Sequence, residues 1–276
     1  MPTRSLSARA VADLYASKVA INDTPEYCER YRGYDFHGRF GAKLADMEFP
    51  RIIILLEFER LLEKHGIAHA RKVLMLNGGP MGDPELQRLT YDHVDAADYE
   101  ADPRRYDLHA PEFAASDYDF VILSQTLEHL YDPVEALGHL YQAMAPGGYI
   151  WASTPTVSQQ HSLPHHFATG FTPIGMACLF AHVGFEVVEI GQWGNSRYAN
   201  HSLAIGGFPT FYDLARPQWR GLRHLLWTLG APPSWRRMAR RWTSLSPRDW
   251  IRSGLRNDFA TPVQTWALAR RPPADF

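Results

Sequence analysis

The hydrophobic positions of this chain change their period near residue 70. Before that point they recur at helical spacing. Residues 5–20 (SLSARAVADLYASKVA) and 50–66 read as helices; in the second, Pro50 suits the first turn and Ile53, Leu56, Phe58, Leu61 and Leu62 populate one broad face. Between them, residues 21–49 are mixed and aromatic (YCERYRGYDFHGRF) and predict a loop-rich cap.

From residue 71 onward, short apolar runs alternate with helical patterns. RKVLML predicts a buried strand, YDHVD (Tyr91–Asp95) a second, RRYDLH a short third and YDFVILS a stronger fourth. Asp83 looks like a helix cap, with Pro84 and Glu85 in the first turn. DPVEALGHLYQAM predicts a helix, and PGGYIWAST a glycine turn with the fifth strand. TPIGMACLFAHVG predicts a helix ended by glycine, FEVVEIGQW the sixth strand and PVQTWALARR the last. Strand–helix alternation of this length predicts an α/β fold: a doubly wound, mostly parallel, seven-stranded sheet with helices on both faces. The expected boundaries are an N-terminal helical cap (1–70), a core (71–206), a helical insertion before the last strand (207–262) and that strand (263–276).

Composition adds limits. The chain has 276 residues, 45% of them hydrophobic, and a formal net charge of −2, which suits a globular protein with a substantial core and argues against general nucleic-acid binding. The apolar run Ile52–Leu56 is soon broken by Glu57, Glu59 and Arg60, far short of a membrane span. The first twenty residues hold no sustained apolar segment, so no secretory signal is expected. Cys28 and Cys178 offer neither a metal-binding pair nor a disulfide framework, and a reducing cytoplasm is the expected location. The charge is uneven. Nine arginines from Arg216 to Arg252 interleave with Trp219, Trp227, Trp235, Trp242 and Trp250, and Asp249 is the only acid in that span. Three readings stay open for it: a lid over an anionic or sugar-containing substrate, a membrane-surface patch, or a solvated face over a tryptophan-rich core.

The candidate chemistry starts at VLMLNGGPMGD (73–83), where a hydrophobic run enters a glycine-rich turn. Asn77, Gly79 and Gly82 fit a G-x-G-x-x-G frame with its first glycine replaced, and Asp95 lies near the distance of a ribose-binding acid, which suggests a nicotinamide oxidoreductase. Pro80 lacks the N–H that a phosphate cradle would use. The later segments favour another reading. YDFVILSQTLEHLYDPVEALGHLYQAMAPGGYIWASTPT resembles the fourth and fifth strand region of class I S-adenosylmethionine-dependent methyltransferases, with their Leu-Glu-His segment and Pro-Gly-Gly turn. TPIGMACLFAHVGFEVVEIGQWG resembles that family's next helix and strand, so the likeness spans about residues 71–206 and the closing PVQTWALARR. It implies a Rossmann-like fold and S-adenosylmethionine as cofactor. VLMLNGGP then stands in place of the family's Val-Leu-Asp-x-Gly-x-Gly-x-Gly. Gly79 falls on a family glycine, while Met75, Asn77 and Met81 depart from it.

The resemblance implies site residues. Asn77, Gly78 and Gly79 form the cofactor turn. Asp95 ends strand two and grips the ribose hydroxyls. Asp107, with Leu108, ends strand three and meets the adenine. Ser124, Gln125 and Thr126 line the methionine side. Glu128 and His129 resemble the family's signature pair, with His129 counted among the cofactor contacts. His161, His165 and His166 cluster where substrate loops gather, and His165 or His166 is the expected general base. Their crowded spacing and lack of nearby acids argue against a metal, and none is expected. The expected function is methyl transfer to a hydroxyl of a sugar or another small polar metabolite. A catalytically inactive methyltransferase-like binding or partner protein is the alternative. No partner beyond the small-molecule acceptor is implied, and the oligomeric state stays open, a homodimer included.

Overall fold

The computed structural model describes residues 4–76, 84–97, 102, 106–113, 117–205, 225–226, 228–235, 238, 257 and 259–274. They divide into two compact units: residues 1–23, 54–192 and 264–276 form one, and 24–53 with 193–263 the other. Of the expected cap, residues 1–23 and 54–70 therefore group with the core, and 24–53 with the other unit. Most of the arginine–tryptophan insertion lies outside the described residues.

The larger unit holds a six-stranded sheet in the order β2-β1-β3-β4-β6-β5. Its strands are β1 (His69–Leu76), β2 (Thr90–Ala97), β3 (Tyr118–Ser124), β4 (Met144–Pro155), β5 (Glu186–Trp193) and β6 (Gln264–Arg270). β1, β2, β3 and β4 run parallel, and β6 runs antiparallel to β4. β3 is apolar almost throughout because it is paired on both edges and buried on both faces, as a central parallel strand must be. The expected third strand is not formed by the described residues between β2 and β3: Tyr106–His109 make a turn, so β2 is the sheet edge among the described strands. Of the seven strands expected, six are formed by the described residues.

Register is fixed by chemistry as well as pattern. The Asp119 carboxylate accepts from the backbone N–H groups of Arg71 (2.9 Å) and Lys72 (2.8 Å), clamping the start of β1 to β3. Slipping by one residue would reverse every side chain of the strand and break this clamp. The Pro-Gly-Gly turn falls inside β4, where Gly147 adopts φ 83° and the pairing with β3 shifts between Tyr118 and Phe120. A Cβ on Gly148 would stand 3.0–3.2 Å from the carbonyls of Ala145, Tyr118 and Asp119.

α1 (Ala8–Leu14) is capped by Ser7, and two short helices follow in the smaller unit, α2 (Pro25–Cys28) and α3 (Phe36–Phe40). α4 (Phe49–Lys64) is buried nearly all round over Ile52–Phe58 and lays Phe58 against Phe120 (6.0 Å) and Trp151 (5.1 Å). α5 (Pro133–Ala143) and α6 (Pro173–Val183) begin as expected, on Asp132 and Thr172 caps with proline in the first turn, and Gly184 ends α6 at φ 111°. α7 (Ser196–Ile205) was not foreseen. In the smaller unit, rings stack edgewise from Phe36 to Phe49 (5.2 Å), Phe49 to Trp193 (5.2 Å) and Trp193 to Tyr198 (5.1 Å). No helix among the described residues is long and apolar enough to cross a membrane.

One buried charge network is sensitive to acid. Arg60 donates to Glu57, which is fully buried, and to Glu189 (2.5 Å), and Lys64 donates to Glu189 as well (2.5 Å). Burial alone would raise the Glu189 pKa, but the bonds from Lys64 and Arg60 outweigh it and hold this carboxyl below its ordinary value. The stability it contributes is therefore complete above the unfolded-state value near pH 4.3 and is lost as pH falls through the lower folded value. Thermal denaturation from pH 7 to pH 3 should show Glu189→Gln destabilised at neutral pH and converging on the natural protein below about pH 4. A constant gap would remove Glu189 from the acid response.

Candidate active site

Strand order reverses between β1 and β3: β1 leads to β2 on one side, while β3 leads to β4 on the other. Ligands of open parallel sheets sit in the crevice that this leaves beyond the carboxyl ends. The cofactor turn, with Asn77, Gly78 and Gly79, lies outside the described residues, as do Met81 and Asp83. Met75 is buried within β1. The helix expected after the turn is, among the described residues, a single 3-10 turn at Leu86–Arg88. Only residues 77–89 separate β1 from β2, which leaves little chain for both a loop and a full crossover helix. Glu85, fully buried, accepts from the Ser124 hydroxyl (2.8 Å) and so ties the returning chain to the tip of β3.

Ser124, Gln125 and Thr126 stand where the sequence put them. Gln125 takes φ 51°, an uncommon conformation for a residue other than glycine. Its backbone N–H donates to the Ser153 carbonyl (2.7 Å) and its carboxamide reaches Ser153 Oγ and Gln264 Oε1, each at 3.2 Å. The Thr126 hydroxyl turns back to the Ser124 carbonyl (3.0 Å). The strand tip is thus held by its own hydrogen bonds in a turned conformation.

The two acids are placed differently from expectation. Asp95 does not end β2, which runs on to Ala97; it sits inside the strand opposite Leu74. Its buried carboxylate accepts from the hydroxyls of Tyr106 (3.0 Å) and Tyr118 (2.6 Å), one on each oxygen. Asp107 ends no strand. It lies in a turn, accepting from the backbone N–H of His109 (3.0 Å) and facing its Nδ1 (3.2 Å). His109 Nε2 accepts from the backbone N–H of Asp132 (3.3 Å), so Nδ1 carries the proton. The carbonyl of buried Leu108 accepts from His139 of α5 (2.8 Å). These bonds hold the Asp107 turn beside the start of α5, just past the carboxyl end of β3.

The histidines meet in a combination the sequence did not suggest. His129, His161 and His166 bring ligand-type nitrogens within 4.8 Å of one another. His165 is exposed and contributes its carbonyl, which accepts from His129 Nδ1 at 2.5 Å. His161 Nδ1 donates to the Gln159 carbonyl (2.9 Å). Neither nitrogen of half-buried His166 has a hydrogen-bond partner among the described residues. Burial lowers the pKa of His129 and His166, and the neighbouring imidazoles lower both further; for His129 the bond to the His165 carbonyl works the other way. Both are therefore unprotonated at neutral pH.

Glu128 fixes this corner from beneath. Its buried carboxylate accepts from Thr154 (2.9 Å), and its carbonyl accepts from the N–H groups of Phe167 (3.0 Å) and Ala168 (3.1 Å). Beside the histidines, Tyr131 stacks on His109 (3.7 Å) and meets Phe167 edgewise (5.9 Å). Both rings are exposed, Tyr131 at 63% and Phe167 at 51%. Sequence reading missed Glu85, Tyr131 and Phe167, and nothing in their local pattern marks them.

Known proteins give this geometry a family. Residues 57–256 match the profile of a family described as a methyltransferase domain. The chain belongs to that family. It is a class I S-adenosylmethionine-dependent methyltransferase domain, with S-adenosylmethionine as its cofactor. Among similar solved structures, a SAM-dependent methyltransferase from Archaeoglobus fulgidus is 17% identical over 86% of this chain and 100% of its own, with a TM-score of 0.41. The N-methyltransferase NodS of Bradyrhizobium japonicum, in complex with S-adenosylhomocysteine, is 17% identical over 62% and 91%, at 0.40. The [4+2]-cyclase SpnF is 13% identical over 80% and 81%, at 0.43. A search of curated proteins gave no match.

The donors at the tip of β3, a carboxamide, hydroxyls and backbone groups, fit a polar cofactor of this kind. Asp95 is committed to two tyrosine hydroxyls. Asp95→Ala should therefore lower folding stability by roughly 3 kcal/mol, the scale of losing charge-assisted bonds and stranding their partners. Affinity for S-adenosylhomocysteine in the folded fraction should change less than about threefold. Denaturant unfolding and calorimetry separate the two; a large affinity loss at unchanged stability would restore Asp95 to the ribose.

Proposed function

We propose that this chain moves the methyl group of S-adenosylmethionine to a hydroxyl of a sugar or another small polar metabolite. The observation that carries the reading is the convergence of imidazoles and exposed aromatic rings on the segments following β3 and β4. The cofactor would be held by the backbone of Asn77, Gly78 and Gly79, by Ser124, Gln125 and Thr126 past β3, and by the Asp107–Leu108 turn. His129 would border its methionine end. Asp95 braces the tip of β2 through Tyr106 and Tyr118.

The cofactor supplies an electrophilic methyl group on a sulfonium that leaves neutral. The protein's task is then to hold the acceptor oxygen in line and exclude water, and positioning contributes about 7–11 kcal/mol in favourable cases. Tyr131 and Phe167 offer faces on which a sugar ring packs, since aromatic rings carry large apolar area at little entropic cost. His166 would take the hydroxyl proton, its two nitrogens being unengaged among the described residues, with His165 next to it in the chain. General-base help of this kind is worth about 10²–10⁴-fold.

One observation favours the second reading, a non-catalytic methyltransferase-like binding or partner protein: in the β1–β2 connection the described residues form a single 3-10 turn, Leu86–Arg88, where a helix is expected. The readings separate by assay. Isotopically labelled S-adenosylmethionine, offered with a panel of hydroxyl-bearing sugars and metabolites, should yield a methyl ether detectable by mass spectrometry. His166→Ala should lower kcat by about 100-fold or more with little change in cofactor affinity. Full activity in both His166→Ala and His165→Ala would place the base elsewhere, and cofactor binding without any transfer would favour the binding protein.

A further inference from the structure

Three imidazoles in mutual reach, with no carboxylate among them, resemble the donor set of a borderline divalent cation more than a lone base. We propose that His129, His161 and His166 form a three-histidine site for a zinc-class divalent ion, with a fourth position open to water or to the acceptor.

The hydrogen bonds outside the cluster prepare two of the rings for this. A carbonyl oxygen only accepts, so His129 Nδ1, bonded to the His165 carbonyl, and His161 Nδ1, bonded to the Gln159 carbonyl, both carry their protons. Each ring then has its Nε2 lone pair bare. Ligating histidines are typically held in this way, with the far N–H tied to a carbonyl so that tautomer and ring orientation are fixed before the ion arrives. His166 supplies an independent sign. Neither of its nitrogens has a hydrogen-bond partner among the described residues, although both are shielded from solvent. A shielded polar nitrogen without a partner is costly, and a metal bond would relieve that cost.

The donor chemistry selects the ion. Imidazole nitrogen suits zinc, cobalt, nickel or copper, whereas magnesium and calcium call for oxygen ligands that this cluster does not offer. Zinc–nitrogen bonds of about 2.0–2.1 Å place tetrahedral ligands about 3.3 Å apart, so the present 4.8 Å limit requires a contraction of about 1.5 Å. His161 and His166 lie on one exposed segment, where side-chain rotation supplies that movement. His129 comes from the segment after β3, the other two from the segment after β4, so the ion would staple the two together. With the ion bound, His166 is a ligand and no longer the base, and the open position would instead let the ion acidify a ligated hydroxyl, as bound zinc acidifies water; this last role alone rests on the proposed methyl transfer.

The test needs neither cofactor nor acceptor. The whole chain, stripped of metal by a chelator, is titrated with Co²⁺ while its visible absorption is recorded, and Zn²⁺ is then added. The expected result is one equivalent of Co²⁺ bound with the intense bands of four-coordinate geometry, displaced by Zn²⁺. His129→Ala, His161→Ala and His166→Ala, each checked for folding by circular dichroism, should each weaken binding by more than about 100-fold, beyond what loss of an outer-shell partner costs. His182→Ala, whose ring bonds the Arg4 carbonyl away from the cluster, should bind normally. Absence of the bands in the folded natural protein, or bands that survive all three cluster substitutions, overturns the site. Because the readout is spectral, a protein that binds Co²⁺ without transferring methyl groups, or the reverse, tells the two proposals apart.

Discussion

A parallel sheet whose strand order reverses must leave a crevice beyond the tips of the two strands that part company, and here those strands are β1 and β3. The rest of the site depends on their alignment. Asp119 holds it by taking the N–H groups of Arg71 and Lys72 onto a side chain of β3, and the buried ladder Val73–Phe120 through Leu76–Leu123 completes it. With that register set, Ser124 reaches Glu85, Gln125 makes its left-handed turn toward Ser153, and the segments after β3 and β4 fall side by side. A one-residue slip would send Ser124 to the opposite face and take the whole tip apart.

The second dependence is on Glu128. A carboxylate at zero exposure binds Thr154 of β4 while its own carbonyl receives Phe167 and Ala168. Through that one residue the β3 exit, the β4 strand and the histidine segment share a common anchor. His129 and the two downstream histidines meet because both of their segments are fastened to the same point. In this light the Leu-Glu-His segment is a brace for the site as much as a part of its surface.

The sequence made legible those parts whose pattern is set locally. β3 matches its expected run to the residue, because a fully buried parallel strand is a continuous apolar run; the helical patterns of DPVEALGHLYQAM and TPIGMACLFAHVG, with Gly184 at the end of the second, locate α5 and α6 equally well. What failed depended on chain length and distant partners. RRYDLH alternates only at Tyr106 and Leu108, and there Asp107 and His109 bind one another across a tight turn, which no local pattern announces. Asp83-Pro84-Glu85 carries a good helix start, but the described residues that follow form one 3-10 turn before β2. Asp95 matched an acid by spacing alone, and two tyrosines from beyond the strand decide its surroundings. His161 and His166 were singled out as a local trio with His165, whereas the fold replaces His165 with His129, brought in from the exit of β3.

On the proposed function, an adenosyl cofactor would lie across the tips of β1 and β3. Titration calorimetry of the whole chain with S-adenosylmethionine, S-adenosylhomocysteine and NADPH bears on it most directly. One-to-one binding of both adenosyl compounds, with no heat from NADPH, is the expected result. A sample shown by circular dichroism to be folded, yet silent toward both adenosyl compounds, would contradict it.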